Sequence, residues 1–181
     1  MDKQIEILSK MLGCSISNLE KIQGHLVYIL SVTGYPEKCV KIIYGHDNNY
    51  ELRYRKLELL GLVPKMYSFI YTSMFEQELM ILVNEYIPSP SQIDKTIEGP
   101  LIMGLVNKLH SYGYIHGDIT EPKNIVIDKY TDRAFFIDID STFHVDDKEN
   151  LDVDLELEYG TNCLKKIMEF EKKVVAKRLT H

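Results

Sequence analysis

Apolar positions along this chain change period repeatedly, and the changes divide it into elements. Residues 3–12 place Ile5, Leu8, Met11 and Leu12 at helical spacing, which predicts an N-terminal helix. Val27–Val32 and Cys39–Ile43 are rich in β-branched and aromatic residues, and Thr33-Gly34-Tyr35-Pro36 between them predicts a hairpin. Asn49–Leu60 returns to a helical pattern that stops at Gly61, with Pro64 just beyond. Tyr67–Tyr71 and Leu79–Tyr86 read as two more strands, and Pro88-Ser89-Pro90-Ser91 follows as a connector. A short helix is expected over Ser91–Ile97, capped by Ser91 and interrupted by Pro100. A stronger one covers Leu101–Tyr112, with Ile102, Leu105, Val106 and Leu109 as its apolar stripe and Gly113 as its stop.

Beyond that helix, two short apolar strands, 125–127 and 135–137, flank the polar turn Asp128–Arg133 and predict a second hairpin. If Val126 faces Phe136, Asn124 falls directly opposite Asp138, close enough to share a ligand. Asp118 stands six residues before Asn124. Oxygen-bearing side chains at the open end of a hairpin, with a further carboxylate upstream, can hold magnesium and a reacting hydroxyl together. That is the equipment of phosphoryl transfer from a nucleotide. Residues 144–158 are dominated by Asp and Glu. A last helix is expected from about Leu155 to Leu179, with Leu164, Ile167, Met168, Val174 and Val175 inward and Lys165, Lys166, Lys172, Lys173, Lys177 and Arg178 outward.

His116-Gly117-Asp118 with the downstream Asn124 resembles the catalytic loop of the protein-kinase-like superfamily, and Ile137-Asp138-Ile139-Asp140 resembles its metal-binding segment. The Gly after His116, and Thr120 two residues past Asp118, differ from the Arg and Lys of ordinary Ser/Thr kinases. They are closer to compact atypical members: the small kinase of the tRNA-threonylcarbamoylation complex, the RIO kinases, and the aminoglycoside and choline phosphotransferases. The family Asn follows the catalytic Asp by five residues, whereas Asn124 follows Asp118 by six, so an extra residue near Pro122 must bulge the loop.

The resemblance implies roles for particular residues. Asp118 would orient or deprotonate the attacking hydroxyl, and Asn124 with Asp138 would hold Mg2+ against the β/γ phosphates of ATP. Asp140, where the family has glycine, would either add a second carboxylate or merely repel. His116 would be structural, packed under the loop and bonded to a main-chain carbonyl. Lys41, on the opposite strand face from Val40 and Ile42, would grip the α/β phosphates, and Glu51 would hold Lys41 forward. Taken alone, Lys41 reads as the wet face of a sheet and Glu51 as the partner of Arg55 one turn on. Gly24 is a single glycine where protein kinases have three, so its loop would cover phosphate only weakly. Asn84 stands at the gatekeeper position, and the main chain of Glu85, Tyr86 and Ile87 would offer N–H and C=O groups to adenine.

The expected fold is therefore α+β and two-lobed, protein-kinase-like, with an antiparallel-sheet small lobe over 1–87 and a reduced, mainly helical large lobe over 88–181. No Ala-Pro-Glu follows Asp138, which argues against a phosphorylation-regulated activation segment. The implied activity is transfer of the γ-phosphoryl of MgATP to a Ser/Thr hydroxyl of a protein, itself included. A small-molecule kinase of the aminoglycoside or choline type and a nucleotide-binding pseudokinase remain alternatives.

Composition adds limits. The 181 residues suffice for one core or two small lobes, and 45% hydrophobic with 27% charged residues is ordinary for a globular chain. A net charge of −6 argues against direct nucleic-acid binding, and the acidic stretch and the basic last helix read either as solvated faces or as a docking surface for a protein partner or basic substrate. Cys14, Cys39 and Cys163 form no C-x-x-C pair, so neither zinc nor a disulfide framework is indicated. No signal peptide or membrane span is read, and the expectation is cytoplasmic. Oligomeric state is not encoded in these patterns.

Overall fold

The computed structural model describes residues 6, 9–10, 13, 18–21, 27–31, 36–45, 47–74, 77–88, 95–119, 124–128, 130–146 and 163–179. It divides into two compact units: Met1–Glu58 with Pro64–Tyr86, and Leu59–Val63 with Ile87–His181. The first combines an antiparallel sheet with a helix and the second is mainly helical, an α+β arrangement. Of the N-terminal helix expected over 3–12, Glu6, Ser9 and Lys10 are helical and the rest lies outside the described residues. So do Gly24, most of the 33–36 turn, Ser91, the 120–123 bulge and nearly all of the acidic stretch. Among the described residues no helix is long and apolar enough to cross a membrane.

The sheet of the first unit contains β1 (Asn18–Lys21), β2 (Val27–Ser31), β3 (Lys38–Tyr44), β4 (Met66–Met74) and β5 (Gln77–Glu85), in the order β1-β2-β3-β5-β4. Every neighbouring pair is antiparallel. β5 lies between β3 and β4 and is buried from Leu79 to Asn84, which is why it reads as a continuous apolar run rather than an alternation. Helix α1 (Tyr50–Leu59) follows β3. Asp47 caps its start, accepting from the Asn49 amide at 2.9 Å and the Arg53 guanidinium at 2.8 Å. Gly61, at φ +65°, supplies the left-handed residue that ends it.

α1 rests on the sheet face that carries Cys39, Lys41, Phe69, Leu82 and Asn84. Tyr50 stacks on Phe69 at 5.7 Å, and Tyr54 reaches the sheet's edge. The Tyr54 hydroxyl has one proton and gives it to the Pro64 carbonyl at 3.0 Å, so it can only accept from the Asn84 amide, also 3.0 Å away. That network fixes the amide's orientation and leaves the buried Asn84 Oδ1 without a hydrogen-bond partner.

In the second unit, α2 (Lys95–Ser111) is one helix. The interruption expected at Pro100 does not occur. The helix continues through Pro100, which forgoes one ladder bond, to the Thr96 carbonyl. Ile102, Val106 and Leu109 are buried, as their spacing predicts. The helix ends at Gly113 (φ +75°) and leads into β6 (Tyr114–Ile115). Strands β7 (Ile125–Asp128) and β8 (Arg133–Phe136) form the second hairpin, β9 (Phe143–His144) returns to pair with β6, and α3 (Cys163–Leu179) closes the described chain. Full burial of Phe136 alone contributes about 2–3 kcal/mol.

Tyr54→Phe should destabilise the protein by about 1–3 kcal/mol in urea unfolding, because the Pro64 carbonyl and the Asn84 amide lose their shared partner. A change below ~0.3 kcal/mol would remove the network's structural role.

Candidate active site

The second unit gathers its polar residues where α2, β6 and the hairpin meet. Gly113 must be glycine on two counts: its φ is positive, and an added Cβ would fall 2.9 Å from His144 Nε2. The chain then reaches His116, whose ring packs against Phe136 at 4.7 Å. His116 is buried and structural, yet its hydrogen bond differs from the expected one to a carbonyl. Nδ1 accepts from the Asp118 amide at 3.3 Å, which places the ring proton on Nε2. Nε2 meets no partner within hydrogen-bond geometry, although the Asp138 main chain lies near enough to favour the protonated ring. Burial lowers the His116 pKa, against the opposing charges of Glu171, Asp138 and Asp118. Those carboxylates therefore surround a neutral imidazole.

Asp118 is held from its side chain and its main chain together. Asn124, only 1% exposed, donates Nδ2 to the Asp118 carbonyl at 2.8 Å and to Asp118 Oδ2 at 2.9 Å. Its amide nitrogen is spent on orienting Asp118, leaving Oδ1 as the atom that can face a cation. The six-residue spacing thus still brings Asn124 to Asp118.

The hairpin register corrects the sequence reading. Val126 pairs with Phe135, not Phe136, and Ile125 pairs with Phe136. Asn124 consequently lies opposite Ile137, whose amide donates to the Asn124 carbonyl at 3.0 Å, and Asp138 lies one residue beyond. The cause is the turn. Asp132 takes a left-handed φ of 51° and its amide bonds the Asp128 carbonyl at 3.0 Å, so the hairpin closes at Asp128–Arg133. A closure one residue tighter than assumed shifts every pair.

Gly117 marks the point where the loop presses on the segment after Asp138. Its φ is +81°, and an added Cβ would sit 2.5 Å from the Ser141 carbonyl. No side chain fits there, and this physical reason accounts for the absence of an Arg. Asp140 is exposed, and its amide turns back toward Asp138 Oδ1 at 3.4 Å. Among the described residues no three His, Cys, Asp or Glu side chains cluster as a metal site. One Asn oxygen and one carboxylate are nonetheless a fitting protein share for Mg2+, which keeps waters and takes its other oxygens from phosphates.

Glu171 was not foreseen, and it is central. Its carboxylate, 3% exposed, projects from α3 to the loop. Oε1 accepts from the Gly117 amide at 2.8 Å, while Oε2 accepts from His110 Nε2 at 2.7 Å and from the His116 amide at 3.4 Å. The available signal was an acidic residue inside the stripe Ile167, Met168, Val174, Val175, three or four positions from each.

In the first unit, Lys41 is half-buried opposite Leu82, on the face shared with Cys39 and Asn84. Burial raises the Cys39 thiol to about 11, and the Lys41 charge pulls the other way, so the ammonium lies near it. Glu51 accepts from Arg55 at 2.9 Å, the helix pair that spacing alone suggests. Glu58, one turn from Tyr54, acts electrostatically on the Tyr54 hydroxyl. The Glu85 amide is not open to a ligand, since it donates to the Lys65 carbonyl at 2.8 Å at the bulged start of β4. Only its carbonyl can still serve as expected.

No protein-family model matches the sequence, and no curated protein matches it. The chain is similar to the solved structure of the Cydia pomonella granulovirus kinase PK-1, with a TM-score of 0.56 and 16% identity. The match covers 80% of this chain and 60% of that kinase, and it shows a kinase-like fold.

Glu171→Ala should cost about 3–5 kcal/mol, with Glu171→Gln milder because its carbonyl oxygen still accepts from Gly117; equal urea midpoints for wild type and Ala variant would contradict this. His116 adds a pH dependence. Above its unfolded value of 6.5 the ring is neutral folded or unfolded. Below it the unfolded chain takes a proton that the folded ring resists, so stability falls as pH drops from 6.5 toward the folded pKa. Unfolding midpoints between about pH 7.5 and about pH 5.5 should show this fall, and His116→Asn should flatten it.

Proposed function

We propose that this chain is an ATP-dependent phosphotransferase that moves the γ-phosphoryl group to a Ser/Thr hydroxyl of a protein. One observation carries the reading: the Asn124 amide grips both the carbonyl and the carboxylate of Asp118. A turn-capping Asp has no need of a buried Asn that fixes the direction of its carboxylate, whereas a carboxylate that must receive a hydroxyl proton does. The kinase-like fold supports the same reading.

Asp118 aligns the acceptor hydroxyl and takes its proton as the new O–P bond forms and the bond from the γ-phosphorus to the β–γ bridging oxygen breaks, releasing ADP. Asn124 Oδ1 and the Asp138 carboxylate are assigned to Mg2+, which when bound supplies charge neutralisation at the phosphate oxygens. Lys41 is assigned to the α/β phosphates, and Glu51 to support of Lys41. The Glu85 carbonyl, with Tyr86 and Ile87, is assigned to the adenine edge. His116 takes no part in proton transfer, because its Nδ1 is occupied by the Asp118 amide and its ring stays neutral and buried. Catalysis on this account is positioning and charge stabilisation.

Incubation with γ-labelled ATP and Mg2+ should label protein. Lys41→Ala and Asp138→Ala should each abolish labelling, and Asp118→Ala should slow it by about 10²–10⁴-fold, with circular dichroism unchanged. Label found only on an added aminoglycoside, choline or sugar would replace the protein acceptor. Nucleotide binding with no transfer in the wild type would overturn the activity.

A further inference from the structure

The helix that carries Glu171 inward presents an outer face that the phosphotransfer reading does not use. α3 bears six basic and two acidic residues, a net of +4 in a chain of −6, so the remaining residues carry −10. Lys165, Lys166, Lys172, Lys173 and Lys177 are all exposed. At 100° per residue Lys166, Lys173 and Lys177 form one row. Directly beside it runs an apolar row, Ile167, Phe170 and Val174, spaced i, i+3, i+7. Ile167 and Val174 are half-buried at the border of the inward stripe, and Phe170 beside them is 58% exposed.

We propose that this face docks an acidic amphipathic segment of a partner protein, its apolar side chains along Ile167–Phe170–Val174 and its carboxylates along the lysine row. Two features favour a protein over a nucleic acid. A phosphate backbone offers nothing apolar to the Phe170 row. An extended polyanion would also meet the −10 of the rest of the chain, whereas a short docked segment interacts within a screening length of about 8–10 Å. The anchors follow the i, i+3, i+7 spacing used when helices dock through one face. This proposal does not depend on the phosphotransfer reading, and its test reads binding only.

The probe is a fluorescein-labelled synthetic peptide of about 18 residues with leucine at heptad positions a and d and glutamate at e and g, titrated with the full chain by anisotropy. Lys173→Glu/Lys177→Glu should weaken binding by on the order of tenfold, and the same charge change at the exposed Lys56 and Lys65 should not. Phe170→Ala should weaken it by about fivefold; because that ring is mostly solvent-exposed, the variant keeps the test valid should the lysine variant misfold. A peptide of the same composition in scrambled order should bind at least about tenfold more weakly. Equal binding of the scrambled peptide, displacement by a short RNA oligonucleotide at lower concentration, or no binding of the probe would each overturn the proposal.

Discussion

A single buried carboxylate organises the second unit around His116 and Gly117. Glu171 reaches from α3 to receive the His116 and Gly117 amides and His110 Nε2, so the loop's main chain is fixed before any ligand arrives. A buried carboxylate is costly unless each oxygen is met by donors, and here both are. The loop's direction at Asp118, and with it the Asn124 grip, follows from where those amides are held. Removing the carboxylate would leave the His116 and Gly117 amides and the buried His110 imidazole without their acceptor, so α3 takes part in holding this loop.

The second constraint is space. Gly117 presses against the Ser141 carbonyl so closely that no Cβ is tolerated, and Thr142 Oγ1 donates to the His116 carbonyl at 3.4 Å. The segment after Asp138 is thereby tied to the loop before Asn124, with the neutral His116 ring between them. Ring neutrality matters here. An imidazolium would pair with Asp118, Asp138 and Glu171, and burial works against that charged form.

Much of this was legible in the residue pattern because local signals were strong. Gly61 and Gly113 each end a helix where a left-handed residue is required, and the apolar runs of β3 and β5 could only be strands. The spacing of His116, Asp118 and Asn124 marked residues that the structure does bring into contact. Three things were not legible. β1 lacks alternation, and β6 and β9 are two residues each, too short to leave a period. The hairpin register turned on the left-handed Asp132, an event in one residue's backbone. Glu171 acts across 55 residues of sequence, and two of its three donors are main-chain amides that carry no side-chain signature.

The central claim is that Asn124 and Asp138 face one metal-bound nucleotide. Its most direct measurement is paramagnetic broadening in NMR spectra on titration with Mn²⁺ and a non-hydrolysable ATP analogue. The account predicts that the Asn124 side-chain amide and the Asp138 main-chain amide broaden first and together, and that Mg2+ reverses the effect. Sharp signals at both positions, with broadening confined to the acidic 144–158 stretch, would contradict it.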